Sequence, residues 1–189
     1  MVQKDNPFTK GNARIDTHFK VGDSYSYRDI DLFTKIETRR IDFRIAQVTE
    51  DQVIFSDGRL VTDLFGNQIK LPDGRVFTGA QFFIPEYTVG KKWSTRFKVT
   101  PQGGAPSDNE VEFRVVARER VTVPAGTFEA FRVEGEGWGK GPFGSMHLKP
   151  KYWIAPGIRR PVASEDNRRL SSGKVLAYER RELVSYLQQ

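Results

Sequence analysis

The sequence predicts an all-β protein: a highly curved antiparallel sheet or incomplete β-barrel, folded as a single domain. Three observations carry this. Apolar and polar residues alternate with period two through several long runs, which is the pattern of strands with one buried and one wet face. Glycine-containing turn dipeptides separate those runs. No segment shows the three-and-four spacing of a helical stripe.

Taken in chain order, residues 1–16 are polar, with Pro7, Gly11 and two Asn, and read as a loose arm; 17–189 reads as one β domain. Phe19-Lys20-Val21 and Ser24-Tyr25-Ser26-Tyr27 read as strands around a Gly22-Asp23 turn. Ile41, Phe43 and Ile45 alternate with Arg40, Asp42 and Arg44. Asp57-Gly58, Gly66-Asn67 and Asp73-Gly74 then punctuate a short meander. The Asp-Gly-Arg triplets at 57 and 73 reflect turn chemistry and no duplication.

Trp93, Thr95, Phe97 and Val99 alternate with Ser94, Arg96 and Lys98; after the loop Gln102–Asn109, Val111, Phe113, Val115, Val121 and Val123 continue the pattern. Val123-Pro124-Ala125-Gly126-Thr127 closes a tight turn in which Gly126 supplies a positive φ. Gly135, Gly137, Gly139, Gly141 and Gly144 surround Trp138 and read as a flexible hairpin loop; the functional alternative is a flap carrying Trp138 over a ligand. Tyr152-Trp153-Ile154 is an aromatic strand stopped by Ala155-Pro156-Gly157, and Val175, Ala177 and Tyr178 begin a final strand.

At 189 residues with 38% hydrophobic composition, including 14 Phe, 6 Tyr and 3 Trp, the chain has apolar surface enough for a core without covalent staples. It has no Cys, which excludes disulfides and thiolate metal sites. No apolar run approaches the ~20 residues of a membrane-spanning helix, so the protein is expected not to span a membrane. The opening Met1-Val2-Gln3-Lys4-Asp5 does not read as a signal segment. The net charge of +6 favours anionic partners, although the basic residues occur as scattered pairs, as on an ordinary solvated surface.

Candidate catalytic constellations give way to structural readings. Gly22-Asp23-Ser24 resembles a hydrolase nucleophile block but lies between strands, without the strand-to-helix elbow that block requires. His18 and His147 have no partner at zinc-ligand spacing. Asp29 and Asp31 share a strand face, where a hard cation or neighbouring basic residues would satisfy them. Arg39-Arg40, Lys91-Lys92, Arg159-Arg160, Arg168-Arg169 and Arg180-Arg181 would meet phosphate, but the aromatics alternate away from them, unlike the stacking faces of single-strand nucleic-acid binders. No cofactor, no catalytic residue and no specific nucleic acid are expected; weak nucleic-acid binding is an alternative.

One region combines aromatics with Arg. Tyr152 and Trp153 point to opposite faces of one strand, Arg159 and Arg160 follow, and the Gly-rich run brings Trp138. These five form the expected ligand site, a mouth that holds an amphiphile's chain on aromatics and its head on Arg. The competing reading makes Trp153 a core anchor and the Arg pair a solvated corner.

Around Val121–Phe128, and again at Tyr152–Ile158, the chain resembles a group of exported bacterial proteins of unknown function that pair a V-P-A-G-T-F turn with an aromatic strand ending in A-P-G. Phe19–Tyr27 fits their opening strand. The resemblance implies a sheet curled into an open barrel, similar to periplasmic lipoprotein carriers, and a place in the periplasm or cell envelope. It implies no catalytic residue. The expected function is a non-enzymatic envelope protein that binds a hydrophobic or amphiphilic molecule or an envelope protein. An accessory enzyme acting on envelope glycans or lipids is the alternative.

Overall fold

The computed structural model describes residues 11–189. Its strands are β1 (Asn12–Arg14), β2 (Ser24–Asp31), β3 (Glu37–Val48), β4 (Gln52–Phe55), β5 (Leu60–Asp63), β6 (Gln68–Lys70), β7 (Val76–Thr78) and β8 (Glu86–Thr88). They continue with β9 (Lys92–Thr100), β10 (Ser107–Val123), β11 (Gly126–Gly141), β12 (Gly144–Leu148), β13 (Lys151–Ile154), β14 (Ala163–Leu170) and β15 (Val175–Leu187). Among the described residues the only helical piece is a single 3-10 turn, Ser56–Gly58. All pairings are antiparallel, and the main sheet runs from β10 through β9, β7, β6, β5, β4, β3, β2, β15, β14 and β12 to β11, which pairs back onto β10. The sheet therefore closes into a barrel and leaves no open edge in that ring. β12 and β13 share one place in the wall: both pair with β11 on one side and with β14 on the other.

The period-two runs fall where the alternation predicts. β10 buries Asn109, Val111, Phe113 and Val115 and exposes Asp108, Glu110, Glu112 and Arg114 between them. Two aromatic-rich clusters form the core. One holds Tyr25, Tyr27, Phe43, Phe55, Trp153 and Leu183; the other holds Phe82, Tyr87, Phe97, Phe113, Phe131 and Val133. Each such side chain contributes about 1.5–3 kcal/mol on leaving water.

The N-terminal arm and the glycine run depart from expectation. Residues 1–10 of the arm lie outside the described residues, but Asn12–Arg14 pairs with β8, and Asp16 accepts a hydrogen bond from Arg159. The glycines are strand, not loop. Gly135, Gly137, Gly139 and Gly141 occupy alternate positions of β11. A Cβ on Gly137 would sit 2.0 Å from the Glu110 carbonyl oxygen, and one on Gly139 would sit 2.2 Å from Asn109 Oδ1. Only hydrogen fits on that face. The larger residues between them, Glu136, Trp138 and Lys140, therefore project from the other face of the strand.

The two ends of the barrel are built differently. At one, the segment Ala155–Pro161 is drawn into the wall: Ala155, Pro156 and Ile158 are buried, and the Asp16 N–H donates to the Pro156 carbonyl. The tip of the β10–β11 hairpin lies beside it, with the Ala125 N–H donating to the Leu183 carbonyl. The other end is a rim of turns, 32–36 between β2 and β3, 101–106 between β9 and β10, 142–143 between β11 and β12, and 171–174 between β14 and β15.

Candidate functional site: the groove at Trp138

Directly paired residues on neighbouring strands share a face. The register places Arg96, Glu110, Trp138 and His147 in one row across β9, β10, β11 and β12, and Lys98, Asp108, Lys140 and Ser145 in another. Because glycine holds the opposite face of β11, these rows present the large side chains of the region outward. Trp138 is 57% exposed and stacks on the His147 ring at 4.6 Å with an interplanar angle of 16°. His147 Nε2 lies 3.0 Å from Glu136 Oε1, and Lys149 pairs with the same carboxylate at 3.3 Å. The Lys149 and His147 hydrogen bonds hold the Glu136 carboxyl below its ordinary range.

Around Trp138 runs a groove of about 680 Å³, lined by Arg96, Lys98, Asp108, Trp138, Lys140 and Ser145 among others. Arg96 pairs with Glu110 at 3.0 Å and Lys98 with Asp108 at 3.6 Å. Lys140 has no carboxylate within ion-pair reach among the described residues. The groove thus combines a flat apolar ring system with an uncompensated ammonium. That combination accepts an apolar body with an anionic group.

The other four residues of the expected mouth lie elsewhere, and not together. Tyr152 packs in the second core cluster, 4.8 Å from the Phe83 ring; burial pushes its phenol up. Trp153, on the opposite face, is 8% exposed. Its Nε1 donates to Glu119 at 2.9 Å, and the Arg180 guanidinium covers the ring at 4.6 Å. A charged belt covers the outer aromatic: Arg180 also binds Glu165 and Glu182, and Glu182 binds Arg28.

Arg159 donates to Asp16 and to the fully buried Asp23. Burial works against its charge, yet the two carboxylates raise its pKa further above the ordinary value. Arg160 turns inward, its guanidinium 5.1 Å from the Phe43 ring centroid and 4.9 Å from that of Phe55. These aromatic faces compensate a buried Nε with no hydrogen-bond partner. The space beside Arg159 and Arg160 measures about 10 Å³, room for one water at most.

The candidate acids and imidazoles are similarly committed. Asp29 is 1% exposed and binds Arg39 and Arg181, each with two nitrogens. Burial pushes its carboxyl up, but the two guanidinium groups outweigh this and hold it below the usual range. Asp31 accepts from the Phe33 and Thr34 N–H groups and so caps the β2–β3 turn. His18 pairs with Asp16. No cluster of three potential metal ligands occurs among the described residues.

Sequence reasoning singled out Trp138 and did not group it with Arg96, Lys98, Lys140 or His147. These converge only through strand register, and no local motif announces which strands pair.

No family model matches the chain, and no curated protein matches it. Solved structures do. The chain is similar to a protein of Bacteroides fragilis described as exported, with a YmcC-like fold: TM-score 0.60 and 15% identity, covering 93% of this chain and 100% of that one. It is also similar to a protein of Parabacteroides distasonis described as a lipoprotein, with TM-score 0.57, 11% identity and coverage of 89% and 96%. A third is the hypothetical lipoprotein YmcC of Escherichia coli K12, with TM-score 0.52, 13% identity and coverage of 87% and 86%. At these identities the likeness shows the fold, an all-β barrel of YmcC-like type.

Proposed function

We propose that this chain is a non-enzymatic protein of the cell envelope, and that it binds an amphiphile with an anionic head in the groove at Trp138. The envelope placement is supported by the structural neighbours, which are described as exported proteins or lipoproteins. The observation that carries the ligand reading is Trp138 itself. An indole 57% exposed, on a ring stack above a groove of about 680 Å³ and beside a Lys140 with no ion pair among the described residues, offers one ligand an apolar face and a cation together. The other location is the mouth at Tyr152, Trp153, Arg159 and Arg160. It is less favoured because each Arg is already engaged and little space adjoins them.

Titration of a fluorescent fatty-acid analogue into wild type, Trp138→Ala, Lys140→Ala and Trp153→Phe separates the two. Saturable binding weakened about tenfold by either groove variant and unchanged in Trp153→Phe supports the groove. Binding that only Trp153→Phe weakens moves the site to the mouth. An absence of binding removes the amphiphile and leaves a protein partner as the reading.

A further inference from the structure

The rim of turns carries apolar side chains that the described residues leave largely exposed. Phe143, in the two-residue β11–β12 turn, is 86% exposed; Phe33 and Ile36, in the β2–β3 turn, are 60% and 63% exposed; Leu176, beside the β14–β15 turn, is 44% exposed. These turns belong to one end of the barrel. β2, β15, β14, β12 and β11 are consecutive in the wall and antiparallel, so the three turns close the same end. Their backbones are also tied: the Leu32 N–H donates to the Tyr178 carbonyl and the Ser171 N–H to the Ser145 carbonyl. Phe33 rests edge-on against Tyr178 at 4.7 Å, which holds it raised at the rim.

Charge accompanies these apolar tips. Lys35, Arg169 and Lys174 lie in or next to the same turns. The nearby acids are used internally: Asp31 caps its turn, and Glu37 pairs with Arg40 and Arg28. A row of separated apolar tips between cationic side chains matches an anionic bilayer surface. The tips enter the headgroup layer, and each basic group near the surface adds about 1 kcal/mol. A protein partner would more naturally meet one contiguous apolar patch than separated tips.

We propose that this rim docks the protein on the surface of an anionic membrane, inserting Phe143 and Phe33 and leaving the Trp138 groove on the barrel side. The proposal is independent of what the groove binds.

Co-sedimentation with vesicles of phosphatidylglycerol and phosphatidylcholine in equal parts, and with phosphatidylcholine alone, tests it. The wild type is expected to sediment with the mixed vesicles, far less with phosphatidylcholine, and less as salt rises. Phe143→Ser/Phe33→Ser lowers the partition coefficient about tenfold or more, and Lys35→Gln/Lys174→Gln does the same. Leu187→Ser, which changes a residue 55% exposed on the last strand away from the rim, leaves it unchanged. Equal sedimentation with both vesicles, none with either, or a loss with Leu187→Ser equal to that with the Phe pair overturns the proposal. So does a light-scattering mass that shows a dimer dissolved by the Phe substitutions while vesicle binding persists, since the rim would then be a self-association surface.

Discussion

The two ends of the barrel use the same residue types for opposite purposes. At the plugged end, Arg159 has a side chain only 8% exposed and is held by Asp16 and Asp23. Gln188 accepts from the Arg159 N–H and donates to the Gly157 carbonyl, and the Gln189 N–H donates to Asp23. Aromatic rings there lie under a cation: Phe43 and Phe55 face Arg160. At the rim, Phe143 stands in solvent and Phe33 is exposed beyond its edge contact with Tyr178, and Lys35 and Lys174 form no salt bridge among the described residues. Arginine and aromatic content therefore does not mark a ligand site. What separates a structural cation from an available one is whether carboxylates or aromatic faces have already met it.

Of the two ends, the plugged one is expected to tolerate substitution least. Arg159→Ala leaves the fully buried Asp23 without its cation, at a cost of about 3–5 kcal/mol. A urea denaturation midpoint that barely moves would show that the clamp is not holding that end.

Gly126 comes next. Its φ of +134° lies where L side chains are strained, in the turn whose Ala125 N–H bonds to β15. Gly126→Val is expected to destabilise by about 1–3 kcal/mol. An unchanged midpoint would mean the tip repacks freely and contributes little to the closure.

Glu179, on β15, is expected to make stability depend on pH. Burial pushes the Glu179 carboxyl up, the neighbouring Asp29 and Asp166 carboxylates push it further, and Arg181 and Arg39 only partly oppose them. An acid whose folded pKa lies above its unfolded value opposes folding at pH above that interval and stops doing so once both states are protonated. Glu179→Gln is therefore expected to raise the midpoint at neutral pH, by no more than about 1 kcal/mol. The gain should vanish in acid, below the unfolded value of a glutamate. A gain equal at both pH values would assign the effect to packing.

The smallest effect belongs to the rim. Phe143→Ser should change stability by less than about 0.5 kcal/mol, because a side chain 86% exposed gives up little on removal. A larger loss would show that the rim is structural and remove its availability for docking.

The strands were legible because their signal is local. Alternation in Val111–Val115 needs no knowledge of a partner, and the Val123–Thr127 turn is set by its own proline and glycine. The glycine run was misread for a related reason. Gly135, Gly137 and Gly139 resemble a loop in composition, and only the nearness of Glu110, Asn109 and Phe113 shows that a Cβ is forbidden there. The candidate site was half legible. Trp138 stood out, but Lys140, Lys98 and His147 reach it through pairings among β9, β10, β11 and β12 that no single segment encodes. Arg159 and Arg160 looked available because their partners lie far away in sequence, at Asp16, Asp23, Phe43 and Phe55.

The proposed ligand meets the outer groove, while the plugged end with its aromatic–arginine segment stays closed. Hydrogen exchange read by mass spectrometry, with and without a saturating fatty-acid analogue, tests this directly. Slowed exchange confined to peptides covering 94–98, 107–110 and 138–147, with 152–162 unchanged, is the result expected. Slowed exchange at 152–162 with the groove peptides unaffected would contradict the account and place the ligand at the end the structure closes.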